Sequence, residues 1–597
     1  MLIFAVVSQV EEQCDSCSVN HTGQLSESFG SDLYSQMNES QTEAIRASLH
    51  KMTCDRNSHI ELIWGPPGTG KTKTVSQMLF ILLRMNYRTL CCAPTNVAVK
   101  EVASRVVKLV KEAYAAESEK SDPFTPLGDI ILFGNKDRLK VAPDIEDIYL
   151  DYRVKRLVEC FAPSNGLKHC VRSMIDLLEH GASHYHIFLE NELIKTKENK
   201  DEAPKDKPKF FLEFIRAGVK AILPSLRRCL ITFCTHVARS FVAKQNFENM
   251  VHLIYLLESL EKELFEKSKC LFVLKTVHST LENLGIPAVV NEESIRELCF
   301  QMATLVFCTA STSYKLHRTN VEPLKVLVID EAAQLKECES LIPLQLPGLK
   351  HAILVGDECQ LPASVNSKIS ANAAFGRSLF ERLSSLGQPK HLLNIQYRMH
   401  PSISCFPNSI FYTDKIMDAP EVRSKKHERC FLREKMFGPY SFINVPGGNE
   451  DGDGDDYSLR NIVEAAVVVK IVQKLYKGMS RLPTWNGSDT SLSVGVISPY
   501  AAQVALVQEK LRHKFENLDN FVVTVKSIDG YQGGEQDIVL LSTVRANNKG
   551  SIGFLSSPQR TNVALTRARY FFSYITARNF SLIFNFKYAE IEFLVPC

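Results

Sequence analysis

A chain of 597 residues is too long for a single core, and 45% apolar against 23% charged residues is the balance of an ordinary folded protein, which excludes a fibrous or wholly disordered chain. With 70 Lys and Arg against 67 Asp and Glu the net charge is only +3, so a polyanion would have to be held in a local groove and not by a globally basic surface. The 17 cysteines include a single CxxC, Cys14 and Cys17, without a second pair at comparable spacing, so most read as reduced, buried thiols of an intracellular protein and not as a zinc set.

The opening run Leu2–Val7 is apolar but too short to span a bilayer and has no basic segment before it, so residues 1–36 read as a mostly loop-like remnant without a secretory signal. No later apolar run crosses a bilayer without charge. The first patterned unit is Met37–Ile45, where Asn38 or Ser40 can cap a helix beginning near Gln41. The Gln41 amide offers a donor and an acceptor together, which suits the Hoogsteen edge of adenine, although a surface glutamine is by itself the commoner reading.

The apolar run Ile60–Trp64 leads into Gly65, Pro66, Pro67, Gly68, Thr69, Gly70, Lys71 and Thr72, and then through Lys73 into a helix-like run, Thr74–Leu82. That is a P-loop in its strand-loop-helix setting. Glycines let backbone N–H groups curl around phosphate oxygens, and the helix N-terminus adds its positive end. Lys71 would hold the β- and γ-phosphates of ATP and Thr72 would ligate magnesium.

Arg88–Pro94 reads as a second buried strand with a helix after it over Asn96–Val110, and Ile130–Phe133 as a short third strand. From about 136 to 300 apolar residues recur at helical spacing with few glycines, which marks a mostly helical insertion interrupted by a charged, exposed loop at 195–209. Parallel-strand signals resume at Thr304–Cys308, Val326–Ile329 and Ala352–Val355. A second α/β set follows at Leu392–Asn394, Ser441–Ile443, Val494–Ile497, Val522–Val525, Ile538–Leu541 and Tyr570–Phe572. The acidic stretch Asn449–Tyr457 lacks the sixth-position glycine and twelfth-position glutamate of a calcium loop and reads as a flexible loop.

Two adjacent acids, Asp330 and Glu331, close the strand Val326–Ile329. At that position Asp330 suits magnesium and Glu331 the polarising of an attacking water. Gln360 follows the next strand and suits the sensing of a γ-phosphate. Arg398 and Arg567 are the candidates to reach across a cleft to a transferring phosphoryl group. Both halves of the site lie in one chain, which argues for a monomer and against a ring ATPase.

Taken together, SQTEAI, GPPGTGKT, APTNVAV, DEAAQ, GDECQLPA, QYRMHP, GVISPY, TVKSIDGYQGGEQD and NVALTRAR resemble, in order, the motif series of superfamily 1 helicases, in particular the subgroup of the nonsense-mediated-decay helicase and the senataxin-like proteins of plants. The resemblance spans about residues 37 to 569. It implies an α/β fold of two RecA-like parallel-sheet domains in tandem, at 37–393, with the insertion, and at 394–597. Between them it implies ATP with Mg2+, and across both a single strand of RNA or DNA, travelled 5′ to 3′. By position it puts Gln41 at adenine, Tyr397 stacked on the base, and Arg398, Glu535 and Arg567 as the second domain's share of the site, with Glu535 at ribose hydroxyls. Strand contacts would come from Pro94, Thr95 and Asn96, from Thr309, Ser311 and Thr312, and from Ser498, Pro499, Tyr500 and Thr524. Most such contacts meet phosphate and sugar, so binding should depend on salt and hardly on sequence.

The implied activity is ATP-driven strand movement with unwinding or ribonucleoprotein remodelling, in nucleus or cytoplasm, with protein partners reached through the insertion. The chain departs from the family pattern at both ends: about thirty-six residues precede the Gln41 segment, where a nucleic-acid-gripping β-barrel is usual, and Thr576–Phe580 replaces a Gly-Asn turn. The alternative is therefore a nucleic-acid-binding scaffold, sensitive to ATP, that does not unwind.

Overall fold

The computed structural model describes residues 36–576, apart from 53–56, 118–123, 199–209, 263–266, 453–457, 480–490, 548–551 and the single positions 288, 320, 430, 433, 435, 436, 513, 514, 516, 517 and 519. The opening apolar run, the CxxC, the tail after residue 576 and most of the lysine-rich loop lie outside the described residues.

Asn38 accepts from the Gln41 N–H at 2.9 Å and so caps α1 (Glu39–Met52), which feeds β1 (His59–Trp64). The chain continues through α2 (Lys71–Arg84), β2 (Thr89–Ala93), α3 (Asn96–Glu117) and β3 (Ile130–Leu132). The insertion then supplies α4 (Leu150–Phe161), α5 (Leu167–Glu198), α6 (Phe211–His236), α7 (Lys244–Lys262), α8 (Lys267–Asn283) and α9 (Glu292–Met302). The sheet resumes with β4 (Leu305–Thr309), β5 (Val326–Ile329), β6 (His351–Gly356) and β7 (Lys390–Leu392), giving a wholly parallel order β3-β4-β2-β5-β6-β1-β7.

Successive side chains of these strands go to opposite faces, and the division of the core follows that alternation. Leu62, Leu90, Val306 and Leu327 pack with the insertion helices, through Leu157, Leu226, Leu230 and Phe233. Ile63, Cys91, Leu305, Val326 and Val328 pack with α1, α2 and α3, through Ile45, Leu79 and Val106. Both faces of the sheet are covered, which is why β3 and β5 are uninterrupted apolar runs and β2, β4 and β6 nearly so. The insertion is thus one wall of the first core. Its entry is fixed by Arg153, whose fully buried guanidinium donates to the carbonyls of Leu127, Gly128 and Asp147 at 2.8 to 3.1 Å.

A short parallel pair follows, β8 (Ile395–Gln396) with β9 (Met417–Asp418), flanking α10 (Pro401–Tyr412). Next come β10 (Tyr440–Asn444) and the hairpin β11 (Asp451–Gly452) with β12 (Leu459–Arg460). The rest comprises α11 (Ile462–Met479), β13 (Leu492–Ser498), α12 (Ala501–Leu511), β14 (Phe521–Ser527), β15 (Gln536–Ser542), α13 (Pro558–Leu565) and β16 (Ala568–Thr576). The second sheet is also wholly parallel, in the order β10-β16-β15-β13-β14.

Two expectations change. The strand expected at Leu392–Asn394 opens the second set in the sequence, yet β7 pairs with β1 through Leu62, Ile63 and Trp64 and closes the first sheet. The acidic stretch expected to be loop has Asp451–Gly452 in β11, Asp451 pairing with Arg460 of β12, and its remainder, 453–457, lies outside the described residues. Among the described residues no helix is long and apolar enough to cross a membrane.

Candidate active site

All the first sheet's strands run the same way, so the loops after β1, β5 and β6 emerge at one edge, the usual place for a ligand in an open α/β sheet. The loop after β1 turns twice through the left-handed region, at Gly68 (φ 76°) and Gly70 (φ 83°), before α2 begins at Lys71. Thr69 is buried and its hydroxyl donates to the Pro66 carbonyl at 2.8 Å. Lys71 Nζ donates to the Gly65 carbonyl at 2.7 Å and lies 3.9 Å from Glu331 Oε1. The loop is held by its own groups and already has the curl of a phosphate cradle.

Gln41 is buried beside this loop, donating through Nε2 to the Thr69 carbonyl at 3.0 Å and accepting from the Asn38 N–H at 3.2 Å. Asn38 Nδ2 also donates to the Tyr397 hydroxyl at 2.9 Å, so the two groups expected at a base are joined through Asn38, while the Tyr397 ring remains 41% exposed. Lys73 donates to the Gln36 carbonyl.

Asp330 is 2% exposed, and burial first, then the adjacent Glu331 carboxylate, push its pKa up to about 7. Glu331 sits in the left-handed region (φ 52°), its N–H donating to Asp330 Oδ1 at 2.9 Å and its Oε2 accepting from Gln334 Nε2 at 2.6 Å. Two crowded carboxylates with the Thr72 hydroxyl on the same cavity wall are hard oxygen donors whose repulsion a divalent cation would relieve; this donor set fits Mg2+.

Asp357, 1% exposed after β6, accepts four hydrogen bonds. Oδ1 accepts from Trp64 Nε1 at 3.0 Å and from the Cys359 N–H at 3.2 Å. Oδ2 accepts from Gln360 Nε2 at 2.6 Å and from the Tyr412 hydroxyl at 2.8 Å. With its nitrogen committed to Asp357, Gln360 turns its oxygen to Arg567 Nη2 at 3.2 Å.

The other side of the cleft is built on the β8 turn and on β15, α13 and β16. Gln396 is fully buried; its oxygen accepts from the Arg398 and Met399 N–H groups and its nitrogen donates to Asp418 at 2.6 Å, fixing the turn that aims Arg398. The Tyr397 N–H donates to the Gly68 carbonyl at 2.9 Å, tying this turn to the phosphate loop. Arg398 Nε meets Glu535 Oε2 at 2.7 Å, and Arg569 pairs with the other oxygen of Glu535. Burial alone would raise the Glu535 pKa, but these two guanidiniums hold it at about 2. Arg567, 2% exposed, donates to the carbonyl of Val563 and is depressed to about 9 by burial and then by Arg398.

A single cavity of about 950 Å³ is lined by Lys71, Thr72, Lys73, Asp330, Glu331, Gln360, Tyr397, Arg398, Glu535 and Arg567. The expected strand-contact residues divide. Pro94, Thr95 and Asn96 stand at the end of β2, and Thr309, Ser311 and Thr312 at the neighbouring end of β4, where the Thr309 and Thr312 hydroxyls bond each other at 2.7 Å. Thr95 and Thr524 line the nucleotide-sized cavity itself. Pro499 is partly exposed, but Ser498 and Tyr500 are buried, Tyr500 beneath Phe554 with ring centroids 5.2 Å apart, so their side chains do not face solvent. Sequence reasoning missed Asp357, Gln396, Asn562 and Arg569, although all four lie inside recognised motifs, and also Tyr412.

A family model described as AAA domain matches residues 36–368, more than half of the chain, and a second of the same description matches 375–579. Several of the relatives found are named helicases: "Probable helicase MAGATAMA 3" of Arabidopsis thaliana is 30% identical over 92% of this chain and 58% of its own length. The chain belongs to the superfamily 1 helicases. "Helicase SEN1" of Saccharomyces cerevisiae is 28% identical over 89% of the chain and 22% of its own length. "Regulator of nonsense transcripts 1 homolog" of Arabidopsis thaliana is 28% identical over 91% of the chain and 32% of its own length. The chain thus spans between about a fifth and three fifths of the length of these relatives, and its family implies nucleotide use.

Proposed function

We propose that this chain is a nucleic-acid-dependent ATPase that converts ATP hydrolysis into movement along single-stranded RNA or DNA, with unwinding or ribonucleoprotein remodelling as the result. The reading is carried by one observation: Lys71, Asp330 and Glu331 beside the first sheet, with Arg398 and Arg567 from the second half of the chain, line the same cavity. In this reading two lobes, 37–393 and 394–597, close on ATP. Gly65 to Lys73 hold its phosphates, while Gln41 and Tyr397 hold the base once Asn38 releases them, and Glu535 takes the ribose. Thr72 and Asp330 hold Mg2+, which when bound supplies charge neutralisation at the phosphates. Glu331 orients the attacking water and accepts its proton, Gln360 senses the γ-phosphate, and Arg398 and Arg567 stabilise charge on the transferring group. Movement follows because the arginines belong to the second lobe, so their engagement with the phosphates depends on closure. The strand would lie over the ends of β2, β4 and β13. The chain acts as a monomer in nucleus or cytoplasm, with the insertion free for protein partners.

The test is ATP turnover with RNA, with single-stranded DNA and with neither, beside displacement from tailed duplexes of both polarities. Strand-stimulated hydrolysis that Lys71→Ala and Glu331→Gln reduce by about a thousandfold supports the reading. Hydrolysis indifferent to any strand overturns it, and strand binding that responds to ATP without displacing a duplex would reduce the chain to a scaffold.

A further inference from the structure

Behind the cavity lies a second polar system that no phosphate-contacting role uses. Tyr412, at the end of α10, is 1% exposed, and its hydroxyl donates to Asp357 at 2.8 Å and accepts from Asn562 Nδ2 at 2.7 Å. Asn562, fully buried in α13, gives its other amide hydrogen to the Cys359 carbonyl at 2.8 Å. The donors and acceptors admit one arrangement. The Asp357 carboxylate can only accept, so it takes the Tyr412 proton and the Gln360 nitrogen. Tyr412 is then left to accept from Asn562, and Gln360 to present its oxygen to Arg567. Among these groups Asp357, Cys359 and Gln360 follow β6 of the first sheet, while Asn562 and Arg567 lie in or just after α13, beside the second. A buried network with its donors so committed holds one geometry, and removing a member leaves its partners unpaired in a buried site.

We propose that Tyr412 and Asn562 are positioning residues that latch the Gln360 loop to α13. In this way displacement of Gln360 by a γ-phosphate is carried to Arg567 and the second lobe. The inference rests on the function proposed above and assigns how its two halves are coupled. Neither residue touches ATP. Asn562 stands five residues before Arg567, so α13 moves both together, and the latch sets where the arginine waits when the cleft closes. Trp64, the last residue of β1, donates to the same Asp357 and packs near Tyr412 with ring centroids 5.9 Å apart, so the latch also reaches β1.

The test is steady-state ATP turnover, with and without a single strand, for Tyr412→Phe, Asn562→Ala and the double variant, alongside thermal melting and strand affinity. The expected result is a strand-stimulated kcat lower by about ten- to a hundredfold in each single variant, with KM for ATP and strand affinity within about twofold of wild type. The double variant should be no worse than the poorer single one, because both changes open the same latch. A kcat at the wild-type level in either single variant overturns the inference, as do losses that multiply in the double variant. If Tyr412→Phe fails to fold, Asn562→Ala alone carries the comparison: a lowered kcat at unchanged KM supports the latch, and a wild-type kcat overturns it. A wild-type chain without strand stimulation would instead overturn the proposed function, so the two failures are distinguishable.

Discussion

Gly68 is where the phosphate loop and the arginine turn come closest. A Cβ there would stand 2.7 Å from Arg398 Cβ, on a backbone at φ +76° that other residues adopt only under strain. Gly68→Ala should therefore push Arg398 out of line and lower strand-stimulated ATP turnover by about ten- to a hundredfold, measured by steady-state hydrolysis. Wild-type turnover in that variant would show that the two segments need not meet. His236 gives a second test at this scale. Burial, then Arg153 and Arg156, push its pKa down to about 3 from the ordinary 6.5, against Asp147, whose Oδ1 lies 3.9 Å from Nε2. A neutral buried histidine must gain a proton on unfolding in acid, so its contribution is complete above pH 6.5 and is lost as pH falls toward 3. By pH 5 that loss is about 2 kcal/mol, at 1.36 kcal/mol per unit. The thermal midpoint of the wild type should thus fall more steeply between pH 7 and 5 than that of His236→Phe, and parallel slopes would contradict the assignment.

The insertion is the element where sequence and structure agree most and still differ in what they reveal. Helical spacing over 136–300 announces amphipathic helices, and α4 to α9 are there. What periodicity cannot show is the partner of the apolar stripe, which turns out to be the sheet itself, through Leu62, Leu90 and Leu327. Leu230→Ala, in a fully buried position of that shared core, should cost about 2 to 5 kcal/mol and weaken nucleotide binding together with stability, because the sheet edge that carries the site rests on this wall. A midpoint shift by chemical denaturation checks it, and a variant as stable as wild type would mean that the insertion is an appendage. The reverse limit appears at β7: three residues carry too little pattern to declare a sheet, and only pairing with β1 assigns them.

At the scale of the molecule, the parts that sequence made legible are those whose chemistry demands a fixed local string. The phosphate loop, the acid pair after β5 and the arginines fall in this class, and all of them line one cavity. Tyr412 and Asp357 were illegible because their roles are made by contacts between elements more than fifty residues apart, and a lone tyrosine at a helix end carries no local signal. Gln360, after β6, joins Arg567 across the cavity, while Glu535 joins Arg398 of the β8 turn to Arg569 of β16 on the far side alone, so the two arginines are held by side chains that a triphosphate would compete for. On the proposed function, nucleotide binding would exchange protein contacts of Arg398 and Arg567 for phosphate contacts, and so would link occupancy to lobe position. The most direct measurement is a structure with ADP, aluminium fluoride, Mg2+ and a short single strand. The prediction is one nucleotide, with the fluoroaluminate within hydrogen-bond distance of Lys71 from one side and of Arg398 and Arg567 from the other. A nucleotide held by the first sheet alone, with both arginines still turned to Glu535 and Gln360, would contradict it.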